Sequence, residues 1–292
     1  MSGEIVVGGR LLVCGALYGA EVMAPTEDPA STERTPPIIL RPDAGHTVDR
    51  EVELEELESS VAAGAIVQIV GEHGVGRTTL LRHLAHGAST DDSPDGVIYV
   101  AGRGLRLEDL LGALYDAVVV SSGRTHATPG EVSRALGNKR LLVIIDDLEL
   151  APSEADELAG MLPSSALVVA TRPGLAVRDA KVIPLGGLPI DASTSLLAEA
   201  FGQEPGESER ETAMAIASAV GGNPSRLLQA AALCDFSWPR LAELADQISA
   251  SGPSVLVQTA LGSLSEVEQR VLAAVALPDG APVHGRHLQS LS

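Results

Sequence analysis

A glycine-rich segment between an apolar run and a helical pattern constrains the fold more than any other feature of the sequence. Residues 65–70 (AIVQIV) form a short, almost continuously apolar run, which is typical of a buried parallel strand. The segment GEHGVGRTT follows at 71–79, and apolar spacing then predicts a helix over 78–86. Glycines let successive backbone N–H groups face one centre, and the helix adds the positive end of its dipole. This arrangement is typical of a loop that binds polyphosphate, although a glycine turn without a ligand is the alternative.

The loop departs from the usual phosphate-loop pattern at one position. Arg77 stands where a lysine is expected, and lysine occurs in the chain only as Lys139 and Lys181. Arginine is a longer planar fork than the lysine ammonium, so we expect binding through backbone amides to survive better than hydrolysis. We expect the hydroxyl of Thr78 to bind Mg²⁺. The predicted phosphate-binding residues are Gly71, Gly74, Val75, Gly76, Arg77, Thr78 and Thr79.

A second apolar strand ends in two carboxylates about seventy residues further on. The run LLVIIDD at 141–147 places Asp146 and Asp147 after a strand that reads as buried. Beside a phosphate loop, Asp146 is expected to hold Mg²⁺ through water, and Asp147 to orient or polarise an attacking water. A simple turn or cap formed by the two aspartates is the alternative.

The next strand, ALVVAT at 166–171, is followed by Arg172. In P-loop ATPases of the additional-strand class this strand lies between the loop strand and the aspartate strand. Arg172 would then face the γ-phosphate as a sensor; a surface arginine before a Pro173–Gly174 turn is the alternative.

Alternating helices and strands predict an α/β fold with a parallel sheet that is covered on both faces. The predicted strands are 65–70, 96–101, 140–148, 166–171 and 181–185. Helical patterns then follow at 191–201, 208–220, 224–234 and 239–250, with Asp191 and Ser208 as expected N-caps. Residues 1–45 carry no readable function, and 25–37 are expected to be a linker.

Charge and composition disfavour several classes of binding partner. The 292 residues are 45% hydrophobic, enough for about two domains. Acidic residues outnumber basic ones 39 to 20, and the net charge of −19 disfavours nucleic acid and membrane surfaces as partners. Cys14 and Cys234 lie far apart without metal-ligand spacing, and no targeting segment is found. We therefore expect unpaired thiols and a cytoplasmic protein.

Taken in order, these motifs resemble the NB-ARC domain of the STAND ATPases. The matching pieces are Val48-Asp49-Arg50-Glu51, the phosphate loop, LLVIIDD, ATRP at 170–173, Ile183–Leu185 and GGNP at 221–224. The resemblance covers about residues 46–278. It implies a switch that is closed with ADP and that opens and oligomerises with ATP. It also implies that Val48 and Arg50 flank the adenine and that Pro224 packs on the nucleotide.

The resemblance fixes a detailed expectation for the architecture. We expect a five-stranded parallel P-loop ATPase sheet of the additional-strand class at 46–188, a helical bundle at 189–252, and an incomplete winged-helix segment at 253–292, after an unclear segment at 1–45. Asp49 stands where glycine is usual, which weakens the adenine contact. Three functions stay open: a nucleotide switch that self-associates or binds a protein partner, an ATPase with steady turnover in which Arg77 replaces the lysine, and a pseudo-ATPase scaffold.

Overall fold

The computed structural model of the chain describes residues 32–42, 49–89, 91–120 and 127–265, together with 6–7, 10–11 and 269. The chain divides into two compact units, residues 1–30 and 31–292. In the first unit, strands β1 (Val6–Val7) and β2 (Arg10–Leu11) pair antiparallel. All other described elements belong to the second unit.

The second unit is built on a six-stranded sheet with the order β10-β5-β9-β8-β6-β4, in which every pairing is parallel. A separate two-stranded pair, β3 with β7, is antiparallel. The strands are β3 (Thr32–Glu33), β4 (Ile38–Leu40), β5 (Ile66–Val70), β6 (Gly96–Ala101), β7 (Val119–Val120), β8 (Leu141–Asp146), β9 (Ala166–Thr171) and β10 (Lys181–Pro184). The central strands β8 and β9 are buried at every residue, which explains their unbroken apolar sequences.

Helices cover both faces of this sheet. They are α1 (Glu51–Ala62), α2 (Arg77–Gly87), α3 (Leu107–Val118), α4 (Pro129–Leu136) and α5 (Pro152–Gly160). Successive residues of β8 point to opposite faces: Leu142 and Ile144 pack with α1 and α2, whereas Val143 and Ile145 pack with α3 to α5. Burying each such side chain contributes about 1.5–3 kcal/mol, so both layers hold the sheet in place.

The remaining helices pack around a core of their own. They are α6 (Ile190–Phe201), α7 (Glu207–Ala219), α8 (Pro224–Leu233), α9 (Trp238–Ser251) and α10 (Ser254–Ser263). Leu197, Ile216, Leu227 and Leu241 are completely buried in this bundle. None of the described helices is long and apolar enough to cross a membrane.

The α/β fold with a parallel sheet is confirmed, including the position of β9 between β5 and β8. The strand count differs, because β4 lies in the segment left unassigned at 1–45 and adds a sixth strand beside β6. β3 lies inside the expected linker. Three- and two-residue strands among prolines carry no alternation that a sequence pattern can detect.

The expected N-caps of two bundle helices are wrong by two residues. Pro189 and Gly206 occupy the N-caps of α6 and α7, so Asp191 and Ser208 lie in the first turns. At α7 the backbone N–H of Gly206 donates to Glu209 Oε2 at 2.7 Å, which fixes the earlier start. Val48, Cys14 and the predicted winged-helix residues beyond 265, apart from residue 269, lie outside the described residues.

Candidate functional site

The glycine-rich loop joins the end of β5 to the start of α2, as the sequence predicts. Gly74 and Gly76 have φ angles of 84° and 102°, in the left-handed region that favours glycine. Gly76 is the N-cap of α2 and has no side chain with which to cap the helix. The first backbone N–H groups of α2 therefore lack a side-chain acceptor from the cap, as an anion site at a helix N-terminus requires.

Two glycines allow the loop to pack tightly against neighbouring residues. A Cβ on Gly71 would lie 2.6 Å from the carbonyl oxygen of Leu185, just after β10. A Cβ on Gly74 would lie 2.6 Å from the Cβ of Ser225, in the first turn of α8. The loop is thus held between the edge of the sheet and the helical bundle.

Arg77 turns back into the loop and toward the end of β8. Its guanidinium is buried and donates to the carbonyl oxygens of Gly71 and Glu72. Its Nη2 donates to Asp147 Oδ1 at 2.8 Å, and Arg103 Nε lies 3.6 Å from the other carboxylate oxygen. The structure therefore brings two predicted catalytic residues, Arg77 and Asp147, into direct contact.

Asp146, the last residue of β8, is buried, and its two carboxylate oxygens differ in their hydrogen bonding. The hydroxyl of Tyr99 donates to Oδ2 at 2.8 Å, while Oδ1 is fully buried and has no hydrogen-bond partner among the described residues. Burial, and after it the charge and hydrogen bond of Asp146, raise the pKa of Tyr99 well above its usual range, against an opposing effect of Arg82. The Tyr99 hydroxyl thus stays a proton donor.

Asp146 and Thr78 are suited to hold Mg²⁺. Within the described ranges no group of three or more His, Cys, Asp or Glu side chains is arranged to hold a metal ion. Mg²⁺ in nucleotide sites needs only one or two protein oxygen ligands, because water and phosphate complete its octahedron. The unpartnered Oδ1 of Asp146 and the hydroxyl of Thr78, on the helix that packs against β8, are ligands of the required kind.

Arg172 and Arg50 occupy different surroundings. Arg172 is exposed at the end of β9 and pairs with Glu149 Oε1 at 2.9 Å, so the structure does not group it with Arg77 and Asp147. Arg50 is buried beside α1, and its Nη2 donates to the carbonyl oxygens of Val75 at 3.2 Å and Gly186 at 2.7 Å. Arg50 therefore links the phosphate loop to the segment that follows β10.

A pocket of about 250 Å³ lies beside Arg50. It is bounded by the first turn of α1, which includes Glu51, and by the connector Gly186–Pro189. Asp49 lies at its wall with a φ of 53°, a left-handed conformation that glycine adopts freely and aspartate tolerates.

The helical bundle touches the phosphate loop through the first turn of α8. Asn223 is buried as the N-cap of α8, where its Oδ1 accepts from the backbone N–H of Arg226. Its Nδ2 donates to the carbonyl oxygen of His73 at 3.0 Å, and the N–H of Ser225 donates to that of Gly74 at 3.2 Å. Pro224 lies between these two contacts, next to the loop.

Three side chains important to this site were not predicted. Tyr99, Asn223 and Gln68 are polar residues in or beside apolar segments, which is the signal that sequence reasoning overlooked. Gln68 is completely enclosed in β5: its Nε2 donates to Thr171 Oγ1 and to the carbonyl oxygen of Leu175, and its Oε1 accepts from Val177. Gln68 thereby fixes the turn that carries Arg172.

Comparisons with protein families and with curated proteins found no match. Among solved structures, a Walker-type ATPase of Pyrococcus abyssi is 18% identical over 86% of this chain and 90% of that protein, with a TM-score of 0.51. PCH-2 of C. elegans is 13% identical over 70% of each chain, with a TM-score of 0.43. A RuvB mutant of T. maritima is 14% identical over 84% of this chain and 82% of that one, with a TM-score of 0.42.

The first of these likenesses extends over nearly the whole of both chains. The shared fold is the one described above, a parallel sheet in the order β10-β5-β9-β8-β6-β4 with the glycine loop joining β5 to α2. The chain has the fold of the P-loop ATPases.

Proposed function

We propose that this chain is an ATP- and ADP-binding switch module of the STAND type, in which the nucleotide on the phosphate loop controls the position of the helical bundle. The observation that carries the proposal is the pair of hydrogen bonds from Asn223 and Ser225 to the backbone of the loop. A ligand that rearranges residues 73 and 74 must change these bonds, so loop and bundle respond together.

Backbone groups and a metal ion do most of the binding in this proposal. With a net charge of −19, the chain has to offset the charge of a polyphosphate locally. The amides of the loop and of the first turn of α2 supply donors, and Thr78 and Asp146 hold Mg²⁺. When bound, Mg²⁺ neutralises charge on the phosphate oxygens.

The surroundings of Arg77 favour a switch over steady turnover. Its guanidinium is satisfied by the loop carbonyls and by Asp147, and it must leave these partners before it can contact a phosphate. The carboxylate of Asp147 is paired with Arg77 and lies 3.6 Å from Arg103, so it must leave the Arg77 ion pair before it can orient an attacking water. Slow hydrolysis is what a switch that persists in one nucleotide state requires.

Contacts around the connector provide a route between the base and the bundle. Arg50 binds both the loop and Gly186, and the N–H of Leu188 donates to the carbonyl oxygen of Gly222 at 2.7 Å. On this proposal the adenine occupies the pocket beside Arg50, with Val48 and Pro224 as further contacts. Arg172 senses the γ-phosphate after releasing Glu149.

The proposal includes a boundary near the connector, with the nucleotide-binding part at 46–188 and the helical subdomain at 189–252. Exchange of ADP for ATP moves the second against the first and frees surfaces for self-association or for a protein partner.

Calorimetric titration of ADP and ATP with Mg²⁺ into the purified chain tests the proposal. Arg77→Ala should weaken binding, whereas Arg178→Ala, which removes an exposed arginine paired with Asp156, should leave it unchanged. Chromatography of the denatured protein detects nucleotide that co-purifies. Protein that neither binds nor carries nucleotide would sink the switch and leave a pseudo-ATPase scaffold.

A second measurement separates the switch from a turning-over ATPase. Light scattering after size-exclusion chromatography should give a larger mass with ATP than with ADP, with phosphate release far slower than one turnover per second. Rapid turnover with no change in mass would favour the enzyme.

A further inference from the structure

We propose that Tyr99 is a positioning residue for the metal ligand Asp146: it occupies one carboxylate oxygen so that the other is presented to the cation. This inference rests on the proposed nucleotide site. It adds a residue that lies in neither the phosphate loop nor the aspartate motif.

The register of the sheet brings the two side chains together. β6 and β8 are parallel neighbours in which Tyr99 is opposite Ile144 and Ala101 is opposite Asp146. Alternate residues of a strand share a face, so Tyr99 and Asp146 both project toward the side that α2 covers. Val97 and Ile144 belong to the buried cluster on that face, and Tyr99 packs against it.

Asp146 is satisfied on one side only. The 2.8 Å bond from Tyr99 serves Oδ2, whereas Oδ1 is fully buried and has no partner among the described residues. A buried oxygen without a hydrogen bond destabilises the fold, and a charged one does so more strongly. A cation at Oδ1 would remove that destabilisation, and the bond at Oδ2 prevents the carboxylate from rotating away.

The helix that follows the phosphate loop carries a positive charge that acts on the same hydroxyl. Arg82 of α2 lowers the pKa of Tyr99, against the larger effects of burial and Asp146. Arg82 also lies four residues after Thr78, on the same face of the helix. A phenylalanine at position 99 would keep the packing and lose the hydrogen bond to Asp146.

The test compares nucleotide binding with and without the metal. ADP is titrated calorimetrically into the full chain in Mg²⁺ and again in EDTA, and the ratio of the two affinities measures the metal contribution. For Tyr99→Phe we expect this ratio to fall on the order of tenfold while affinity in EDTA stays within about twofold, as for other residues that orient a metal ligand. For Asp146→Asn we expect the ratio to fall to about one, because the metal then no longer contributes to ADP affinity.

Tyr115→Phe is the matched control, because Tyr115 is a buried tyrosine on the opposite face of the sheet. It should leave the ratio unchanged. Thermal unfolding of each variant checks that the fold is retained.

Each outcome decides the proposal. A Tyr99→Phe protein that keeps the wild-type ratio would overturn the positioning role while leaving the nucleotide site intact. Equal losses in Mg²⁺ and in EDTA would show that Tyr99 only supports the fold. A wild-type chain that binds no ADP in either condition would defeat the proposed function itself, and the positioning role with it.

Discussion

Arg77 Nη2 and Asp147 Oδ1 lie 2.8 Å apart, joining the first residue of α2 to the residue that follows β8. The side chain of Arg77 is 6% exposed and that of Asp147 is 21% exposed, so this ion pair is largely removed from water. It locks the phosphate loop against the aspartate strand. The same arginine is thus both a structural tie and the residue that stands in the lysine position of the loop.

Removing this tie should destabilise the fold. Breaking a buried pair costs about 3–5 kcal/mol, but Asp147 is partly hydrated and keeps Arg103 nearby, so we expect Arg77→Ala to lower the free energy of unfolding by about 2 kcal/mol. Urea denaturation measures this. Arg172→Ala, which removes an exposed pair with Glu149, should cost less than about 1 kcal/mol. Equal effects would show that burial of Arg77 contributes nothing.

Placing a lysine at position 77 should raise the rate of ATP hydrolysis. The ammonium of Arg77→Lys is too compact to hold Gly71 and Asp147 together, so Asp147 is freed to act on water. We expect ATP hydrolysis to increase about a hundredfold, the lower end of the usual range for a general base. Phosphate release measures it, and adding Asp147→Asn should return the rate to the wild-type level. An unchanged rate in the lysine variant would show that Asp147 is not what limits hydrolysis.

Asn223 should matter for both stability and binding. Asn223→Ala removes the cap of α8 and the 3.0 Å bond to His73, and we expect a loss of about 2 kcal/mol together with altered ADP affinity. Denaturation and calorimetry measure the two effects. Thr128→Ala removes the cap of α4 and should cost about 1 kcal/mol without changing ADP binding. If the two variants bind ADP equally well, the bundle does not report on the loop.

Sequence reasoning located the strands and the glycine loop because local patterns encode them. Each central strand is an apolar run bounded by turns, and Gly74 and Gly76 occupy φ angles that their residue type favours. The bounds of β6 and β9 agree with the predicted ranges to the residue.

Long-range contacts could not be predicted in the same way. The Asn223 bond to His73 spans 150 residues and the Gln68 bond to Thr171 spans 103, so no local window contains either. The direction of Arg77 depends on where Asp147 lies in the folded sheet. The strand β4 is too short for periodicity to reveal it and is recognised only by its pairing with β6.

The buried thiol of Cys234 should make the free energy of unfolding depend on pH. Burial raises the pKa of this thiol above its ordinary value, with Arg240 opposing the shift. As the pH rises past that ordinary value the unfolded chain loses the thiol proton and the folded chain keeps it, so the free energy of unfolding falls. The stabilising contribution of the protonated thiol is complete below the pKa of Cys234 in the unfolded chain. It is lost as the pH approaches the pKa of Cys234 in the folded chain.

Urea denaturation between about pH 7 and pH 10 tests this, since an unfolded thiol titrates at about 8.5. In a chain that carries Cys14→Ala, the free energy of unfolding should fall more steeply with rising pH when Cys234 is present than when it is replaced in Cys234→Ala. Parallel pH profiles would mean that burial does not hold the thiol proton.

Two glycine substitutions, one where the connector crosses the turn before α8 and one within α3, should have opposite effects on stability. A Cβ on Gly187 would lie 1.9 Å from the carbonyl oxygen of Gly221, a rigid backbone atom, so we expect Gly187→Ala to destabilise the chain by at least about 2 kcal/mol. Gly112 lies within α3 with nothing within 4 Å of its added Cβ, and Gly112→Ala should stabilise by about 0.5–1 kcal/mol because alanine favours the helix. Thermal and urea unfolding measure both. Residues 187 and 221 lie on either side of the proposed boundary. A Gly187→Ala chain that is as stable as the wild type would show that the two segments separate readily. The contact between the nucleotide-binding part and the helical bundle would then depend on Asn223 and the loop alone.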